Sequence, residues 1–139
     1  MIWILDTDHI SLFQRGNPIV THNIQSKPRS ELVVTIVSYE EQIRGWLKVV
    51  NRSFNDLEQL TFGYNKLNEN LDFYRTKTVL DFSADAATEF QSLLRQKVKT
   101  GTQDLKIAAI ALSVDATLVT RNRRDFQRVP GLCIEDWSI

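Results

Sequence analysis

Five short apolar runs, each followed by a stretch with helical features, constrain the fold of this chain more than any other feature. Short apolar runs bounded by polar residues are typical of strands that are buried on both faces of a parallel sheet. The runs are Ile2–Leu5, Leu32–Val37, Thr78–Leu80, Thr117–Thr120 and Leu132–Ile134. Their alternation with helices predicts an α/β fold, in which a mostly parallel, four- to five-stranded sheet carries helices on both faces.

The helical segments contain start and stop signals. The first long helix is predicted to begin at a capping box that Glu41 completes, and the next, from Phe54 to near Tyr74, is expected to be broken or weakened at Gly63. Gly16-Asn17-Pro18 should end the helix that follows the first strand. Polar residues predicted to cap helices are Ser38, Ser83 and Thr102.

Composition indicates one folded domain over residues 1–139. The chain is 42% apolar and has only five Gly and three Pro, which argues against disorder. The lone Cys133 excludes an internal disulfide and a thiolate zinc site, and it favours a reducing, cytoplasmic location. The apolar run at the start is too short for a secretory signal, and no stretch is long enough to span a membrane.

Acidic side chains collect where the predicted strands end. They follow the first, second and fourth strands, and the carboxyl ends of parallel strands are where such sheets bind ligands. Asp104 joins them, because its helix runs antiparallel to the strand after it and therefore starts at the same edge. The acids that follow the strands are Asp6, Asp8, Glu41 and Asp125, and the polar amide of Asn122 accompanies them.

Carboxylates this close together repel one another unless protons or a cation neutralise them. A hard divalent ion such as Mg²⁺ or Mn²⁺ prefers oxygen ligands, and it can activate a water for phosphodiester hydrolysis. Simpler roles exist for three of the acids: Glu41 in its capping box, Asp104 in a first helical turn and Asp125 as a cap. Charge favours Asp125 over the neutral amide of Asn122 as a further ligand.

Cations and histidines give weaker signals. Lys plus Arg equals Asp plus Glu at 17 each, so net charge alone indicates no polyanionic partner. Several cations could nevertheless contact phosphates or simply form a solvated surface. They are Arg44, Lys48, Arg121, Arg123 and Arg124. His9 and His22 are expected to be surface or capping residues.

Four segments together resemble the PIN-domain family, and within it the VapC-type toxins of bacterial toxin–antitoxin pairs. The second has its acid four residues before a glycine, a spacing that selects Glu41 over Glu40. The match spans nearly the full chain. The segments are Leu5-Asp6-Thr7-Asp8, Tyr39–Gly45, Gly101–Ala109 and Leu118–Phe126 continuing to Leu132.

The resemblance implies a PIN-like three-layer fold and a Mg²⁺- or Mn²⁺-dependent ribonuclease that a VapB-like antitoxin holds inactive. It assigns Asp6, Glu41 and Asp104 to the acidic site, and Thr120 to the wall of the pocket, to which we add Asp8 as support. Family members place the fourth acid at the position of Asn122 or three residues later, at that of Asp125. The resemblance also implies a homodimer, and an antitoxin groove along the helix that follows Tyr39, where aromatic residues are available: Trp46, Phe54, Phe62 and Tyr64.

Two other functions fit parts of the sequence. Asp6-Thr7-Asp8 after a first strand also resembles the start of haloacid-dehalogenase-type phosphatases, although His9 and Ile10 replace the glycine and threonine usual there. The other alternative is a catalytically inactive PIN-like domain that binds RNA or protein.

Overall fold

The computed structural model describes residues 1–139 and contains one sheet of five parallel strands in the order β3-β2-β1-β4-β5. In the centre of the sheet, Ile4 of β1 pairs with Val33 of β2 on one side and Leu118 of β4 on the other. The predicted α/β fold with a parallel sheet is therefore confirmed. The strands are β1 Trp3–Leu5, β2 Leu32–Thr35, β3 Thr78–Leu80, β4 Thr117–Val119 and β5 Cys133–Glu135.

Apolar side chains cover both faces of this sheet, as the three-layer prediction requires. Because successive strand residues point to opposite faces, Ile4 belongs to one buried cluster and Leu5 to the other. Helices α5 and α6 contribute to the first cluster, and α1 and α2 to the second. The helices are α1 Thr7–Gln14, α2 Pro18–Gln25, α3 Ile36–Arg52, α4 Leu57–Arg75, α5 Ala84–Arg95, α6 Thr102–Ser113 and α7 Arg123–Phe126.

Helix α3 begins earlier than predicted. Thr35, the last residue of β2, caps it by accepting a hydrogen bond from the Ser38 backbone N–H at 3.2 Å. The capping-box role for Ser38 and Glu41 is therefore wrong. The strand passes into the helix without a loop, which leaves the Ser38 and Glu41 side chains free to face the carboxyl edge of the sheet.

Helix α4 continues through Gly63, so the helix is not broken there, and that part of the prediction is wrong. A Cβ at this position would lie 2.9 Å from Cγ2 of Val50 on α3, which no real structure tolerates without a shift. Gly63 therefore lets α3 and α4 approach closely, at the known cost of a glycine within a helix. No helix in the chain is both long and apolar enough to cross a membrane.

Of the remaining predictions about helix ends, two are confirmed and the cap at Thr102 is wrong. Ser83 caps α5 as predicted, since its hydroxyl accepts from the Ala86 N–H at 3.1 Å. The break at Gly16-Asn17-Pro18 is also confirmed, with Asn17 capping α2. Helix α6 begins at Thr102, but its N-cap is Gly101, and no side chain caps it.

Candidate active site at the carboxyl edge of the sheet

Asp6 lies at the centre of the carboxyl edge, immediately after β1. Its backbone N–H donates to the Val119 carbonyl at 2.9 Å, and this bond fixes it between the two central strands. One carboxylate oxygen accepts from the Thr7 N–H at 2.8 Å, and the other accepts from the Thr120 hydroxyl at 2.8 Å. The residue is only 6% exposed, so a strongly polar group sits in an almost water-free position.

Burial makes ionisation of Asp6 unfavourable. Loss of solvent and, to a smaller extent, the nearby charge of Asp8 raise the pKa of the Asp6 carboxyl to about 7, against the hydrogen bonds from Thr120 and Thr7, which lower it. At neutral pH the Asp6 carboxyl group is therefore about half ionised. Any cation that binds next to it would displace the proton.

A second acidic pair meets at the amide of Asn122, which is the N-cap residue of α7. The Asn122 Nδ2 donates to Oδ2 of Asp104 at 3.2 Å and to Oδ2 of Asp125 at 3.1 Å. Burial raises the pKa of Asp104, and the charges of Asp125 and Asp8 raise it further, while the Asn122 hydrogen bond lowers it. The start of α6 thus lies at the carboxyl edge, as the sequence predicts, and the Asn122 amide presents nitrogen rather than oxygen to the acids.

Asp8 braces the loop that leaves β4. One of its oxygens accepts from the Arg121 N–H at 3.0 Å and lies 3.4 Å from the Thr120 hydroxyl. The other lies 2.7 Å from Nδ1 of His9. Asp8 therefore ties α1 to the segment that carries Asn122.

His9 is fully buried, so the surface position expected for it is wrong. Its Nε2 accepts a hydrogen bond from the Trp137 N–H at 3.1 Å. Since a neutral imidazole has one donor nitrogen, Nδ1 must carry the proton and donate to Asp8. The C-terminal segment thereby holds Asp8 in place, and this contact between residues 128 positions apart leaves no local signal in the sequence.

Glu41 joins the site through a threonine that sequence reasoning missed. The Thr7 hydroxyl lies 3.0 Å from a Glu41 carboxylate oxygen and 2.9 Å from the Ser38 hydroxyl. Burial raises the pKa of Glu41, with Asp104 adding to the rise, while the bond from Thr7 and the charge of Arg44 lower it. Three helices, α1, α3 and α6, therefore contribute acids whose charges act on one another.

The cations predicted to contact RNA lie in two groups. Arg121, Arg123 and Arg124 are exposed on the segment between β4 and the end of α7, next to Asn122. Arg44 and Lys48 are exposed on α3, where Arg44 pairs with Glu40. Of these cations, Arg44 lies close enough to Glu41 for its charge to lower the pKa of that carboxyl.

The donor set suits a hard cation, since every acidic donor here is a carboxylate oxygen. The side chains do not form a ready-made chelate, because no three His, Cys, Asp or Glu groups converge on one metal position. The Asn122 amide lies between Asp104 and Asp125, and Asp8 is engaged by Arg121 and His9. Such a site fits an ion that takes one or two carboxylates and keeps several waters, which is the habit of Mg²⁺.

No family model matches the chain. Individual proteins do match. The chain is 33% identical over 142 residues to ribonuclease VapC1 of Haemophilus influenzae, with 99% of each chain covered. It is 45% identical over 64 residues to the tRNA(fMet)-specific endonuclease VapC of Shigella flexneri, a match that covers 43% of this chain and 48% of that one. The solved structure of VapBC-1 from nontypeable Haemophilus influenzae superposes with a TM-score of 0.77 at 26% identity and covers 100% of both chains.

Proposed function

This chain belongs to the VapC family of PIN-domain toxins, and we propose that it is a divalent-metal-dependent endoribonuclease, the toxin of a type II toxin–antitoxin pair. The observation that carries the proposal is the acidic network at the carboxyl edge, in which Asp6 is buried and Asp104 and Asp125 are partly buried. Burial and mutual repulsion raise the pKa of both Asp6 and Asp104, so the fold maintains these acids at a cost in stability. A site that binds a cation accounts for that cost.

Asp6 and Asp104 are the residues that would hold Mg²⁺ or Mn²⁺ directly, and Asp125 would contribute directly or through a bound water. The ion supplies Lewis acidity when bound, by lowering the pKa of a coordinated water and stabilising charge on the phosphate. Thr120 holds Asp6 in orientation, and Asn122 holds Asp104 and Asp125. Glu41 lies near enough to interact with Asp104, which suits it to accept a proton from the attacking water.

The RNA would reach the acids across the two groups of exposed cations. Arg121, Arg123 and Arg124 lie beside Asn122, so they can contact phosphates on either side of the scissile bond. Because phosphate contacts release counterions, RNA binding by a cleavage-deficient variant should weaken steeply with salt. Replacement of Arg123 and Arg124 by Glu should reduce both the affinity and the salt slope, and an unchanged slope would show that they only solvate the surface.

An antitoxin would bind on the groove between α1, α3 and α4. This groove has a volume of about 640 Å³, and its walls include Trp46, Phe62 and Phe73. Trp46 packs edge-to-face on Phe62 with 5.7 Å between ring centroids, while Phe54 and Leu57 at the end of the α3–α4 pair are largely exposed. An amphipathic helix of a VapB-like antitoxin would suit an apolar groove of this kind. The homodimer stays a prediction, which sedimentation velocity would test.

The test of the enzymatic proposal is a cleavage assay with purified wild-type protein and its Asp104→Asn variant. The substrates are initiator tRNA, since one relative is named for tRNA(fMet), and total RNA. Asp115→Asn is the matched control, because Asp115 is exposed and lies at the other edge of the sheet in a left-handed conformation that Asn adopts readily. We expect metal-dependent cleavage by the wild type and the control, and none by Asp104→Asn.

The same preparations separate the alternatives. A chromogenic phosphate monoester should remain intact, whereas its hydrolysis without RNA cleavage would indicate a phosphatase. RNA binding without cleavage by the wild type, under all metal conditions, would indicate an inactive PIN-like domain. Equal RNA cleavage by wild type and Asp104→Asn would place the chemistry outside the acidic network.

A further inference from the structure

A second cleft opens at the amino edge of the sheet, on the face covered by α1 and α2. This amino-edge cleft has a volume of about 520 Å³, which lies within the roughly 300–1,000 Å³ typical of small-molecule sites. Its floor includes Leu5, Ile24 and Val34, all of which are buried members of one core cluster. The cleft therefore reaches from the surface to the apolar core. Its cations lie before β2 and β3, at the edge opposite the acids, although Leu5 on its floor directly precedes Asp6.

Every ionisable side chain that lines the amino-edge cleft is a cation. These are Lys27, Arg29 and Lys77, and no Asp or Glu accompanies them. None of the three takes part in any ion pair of the structure. Burial lowers the pKa of Lys77, and the charge of Arg29 lowers it further, with no anion close enough to Lys77 to oppose them.

Aromatic rings hold the two lysines at the cleft. The Lys27 ammonium lies 4.7 Å from the centre of the Trp3 ring, and that of Lys77 lies 5.2 Å from the centre of the Phe73 ring. Such contacts stabilise a cation by about 0.5–1 kcal/mol at exposed sites. Each ammonium also lies near a second ring, that of Trp137 at 5.6 Å for Lys27 and that of Phe13 at 5.7 Å for Lys77. Neither ammonium donates a hydrogen bond within the protein, so its N–H donors remain available to a bound anion.

We propose that the amino-edge cleft binds a small amphipathic anion. Its alkyl or aryl body would lie on Leu5, Ile24 and Val34, and its carboxylate, phosphate or sulfonate would accept hydrogen bonds from the three cations. A nucleic-acid backbone suits the cleft less well, because it carries no apolar part to cover a floor of this depth. Lysine stems that merely cover aromatic rings are the simplest competing interpretation.

The test uses two dyes of nearly the same shape and different charge. The anionic probe is 8-anilinonaphthalene-1-sulfonate, and the neutral probe is N-phenyl-1-naphthylamine. The full-length protein should bind the anionic dye saturably with one site, and it should bind the neutral dye at least fivefold more weakly. Amide chemical shifts should move in residues 24–32 and 76–78, and not along the α3–α4 pair.

Three variants test whether the cations of the cleft are responsible for the preference for the anionic dye. Lys77→Met should weaken the anionic dye at least fivefold and leave the neutral dye within twofold, and Arg29→Met should act in the same direction. Arg29 is exposed, so its variant keeps the test valid even where the partly buried Lys77→Met fails to fold. Lys99→Met, an exposed lysine outside the cleft, is the matched control and should bind like the wild type.

Equal binding of the anionic dye by wild type and both cleft variants would overturn the proposal, as would chemical shifts confined to α3 and α4. Displacement of the dye by RNA with the same salt dependence as RNA binding would also overturn it, in favour of a phosphate-backbone surface. The dye-binding outcomes are separate from RNA hydrolysis, because Lys77, Arg29 and Lys99 do not belong to the acidic network.

Discussion

The acidic site at the carboxyl edge of the sheet is built from carboxylates that hydrogen bonds hold in place, whereas the ionisable groups that line the amino-edge cleft are cations on flexible stems. Asp6 has both oxygens engaged and is nearly inaccessible to water, so its repulsion with Asp8 cannot be relieved by movement. Lys27 and Lys77 are only partly buried, and each rests on an aromatic ring. Like charges that are rigid and buried therefore cost more than like charges that can bend toward solvent.

We expect the largest effect on the rate of RNA cleavage when the charge of Asp6 is removed. Asp6→Asn keeps the size of the side chain and removes the anion that we place on the metal. Changes to groups that only support metal ligands already cost roughly 10–100-fold, so we expect a loss of at least about 100-fold in RNA cleavage. Cleavage rates of Asp6→Asn and Asp115→Asn in excess Mg²⁺ would check this, and a rate within threefold of wild type for Asp6→Asn would remove it from the site.

The next largest effect concerns cleavage activity, and it tests whether Asp125 or Asn122 completes the metal site. If Asp125 contributes charge to the metal, Asp125→Ala should reduce cleavage by roughly 10–100-fold, less than Asp104→Asn. Asn122→Asp should be tolerated or tighten the metal, because it replaces an amide by a further anion. Metal-dependent activity across the variants decides the matter: an inactive Asn122→Ala beside a normal Asp125→Ala would mean that the amide is the essential group.

Stability should respond to pH at the carboxyl edge. The folded pKa of Asp6, about 7, lies above the unfolded value of 3.8, so the folded state binds more protons and loses stability as pH rises between them. Asp6→Asn removes this loss. Its gain in unfolding free energy over wild type should therefore be greater at pH 8 than at pH 5 by roughly 2–3 kcal/mol, since one unit corresponds to about 1.4 kcal/mol.

Urea denaturation at both pH values, without divalent ions, measures this difference. Asp115→Asn provides the reference for an exposed acid and should show no such dependence on pH. A gain for Asp6→Asn that is the same at pH 5 and pH 8 would mean that the buried carboxylate is already neutralised by a group other than a proton.

The smallest effect is expected at the amino edge. Lys27→Met keeps an apolar stem over Trp3 and removes one unpaired cation, so the lost cation–π contact and the relieved repulsion oppose each other. We expect the unfolding free energy to change by less than about 0.5 kcal/mol and RNA cleavage to remain unchanged. A destabilisation above about 2 kcal/mol in urea denaturation would show that this edge is as rigid as the other.

The sequence predicts the sheet well and the site in part. The strand positions follow from apolar runs, and the place of Asp104 follows from the direction of its helix, because both are local or topological signals. The start of α3 was mispredicted because two hydroxyl residues, Thr35 and Ser38, compete as caps, and the tertiary contact of Ser38 with Thr7 is invisible in the sequence.

The long-range contacts explain the other errors. The sequence around His9 gives no sign that this residue is buried. Its burial depends on the Trp137 backbone, which lies against its ring in the folded chain. A glycine within a helical pattern suggests a break when only the sequence is known. In the structure Gly63 is needed because α3 packs against α4 there, and a side chain would collide with Val50. The amino-edge cleft has no sequence motif, because its cations come from the loop after α2, the 3₁₀ turn Arg29–Glu31 and the turn before β3, which only the folded sheet brings together.

The central claim is that the carboxyl-edge acids bind a divalent cation for phosphodiester hydrolysis, and calorimetric titration with Mn²⁺ tests it most directly. The wild type and Asp115→Asn should bind Mn²⁺ saturably at pH 8 and more weakly at pH 6, where the proton on Asp6 competes. Asp104→Asn should lose most of this affinity while remaining folded. Binding by Asp104→Asn that equals wild type, or no binding by the wild type at all, would contradict the account.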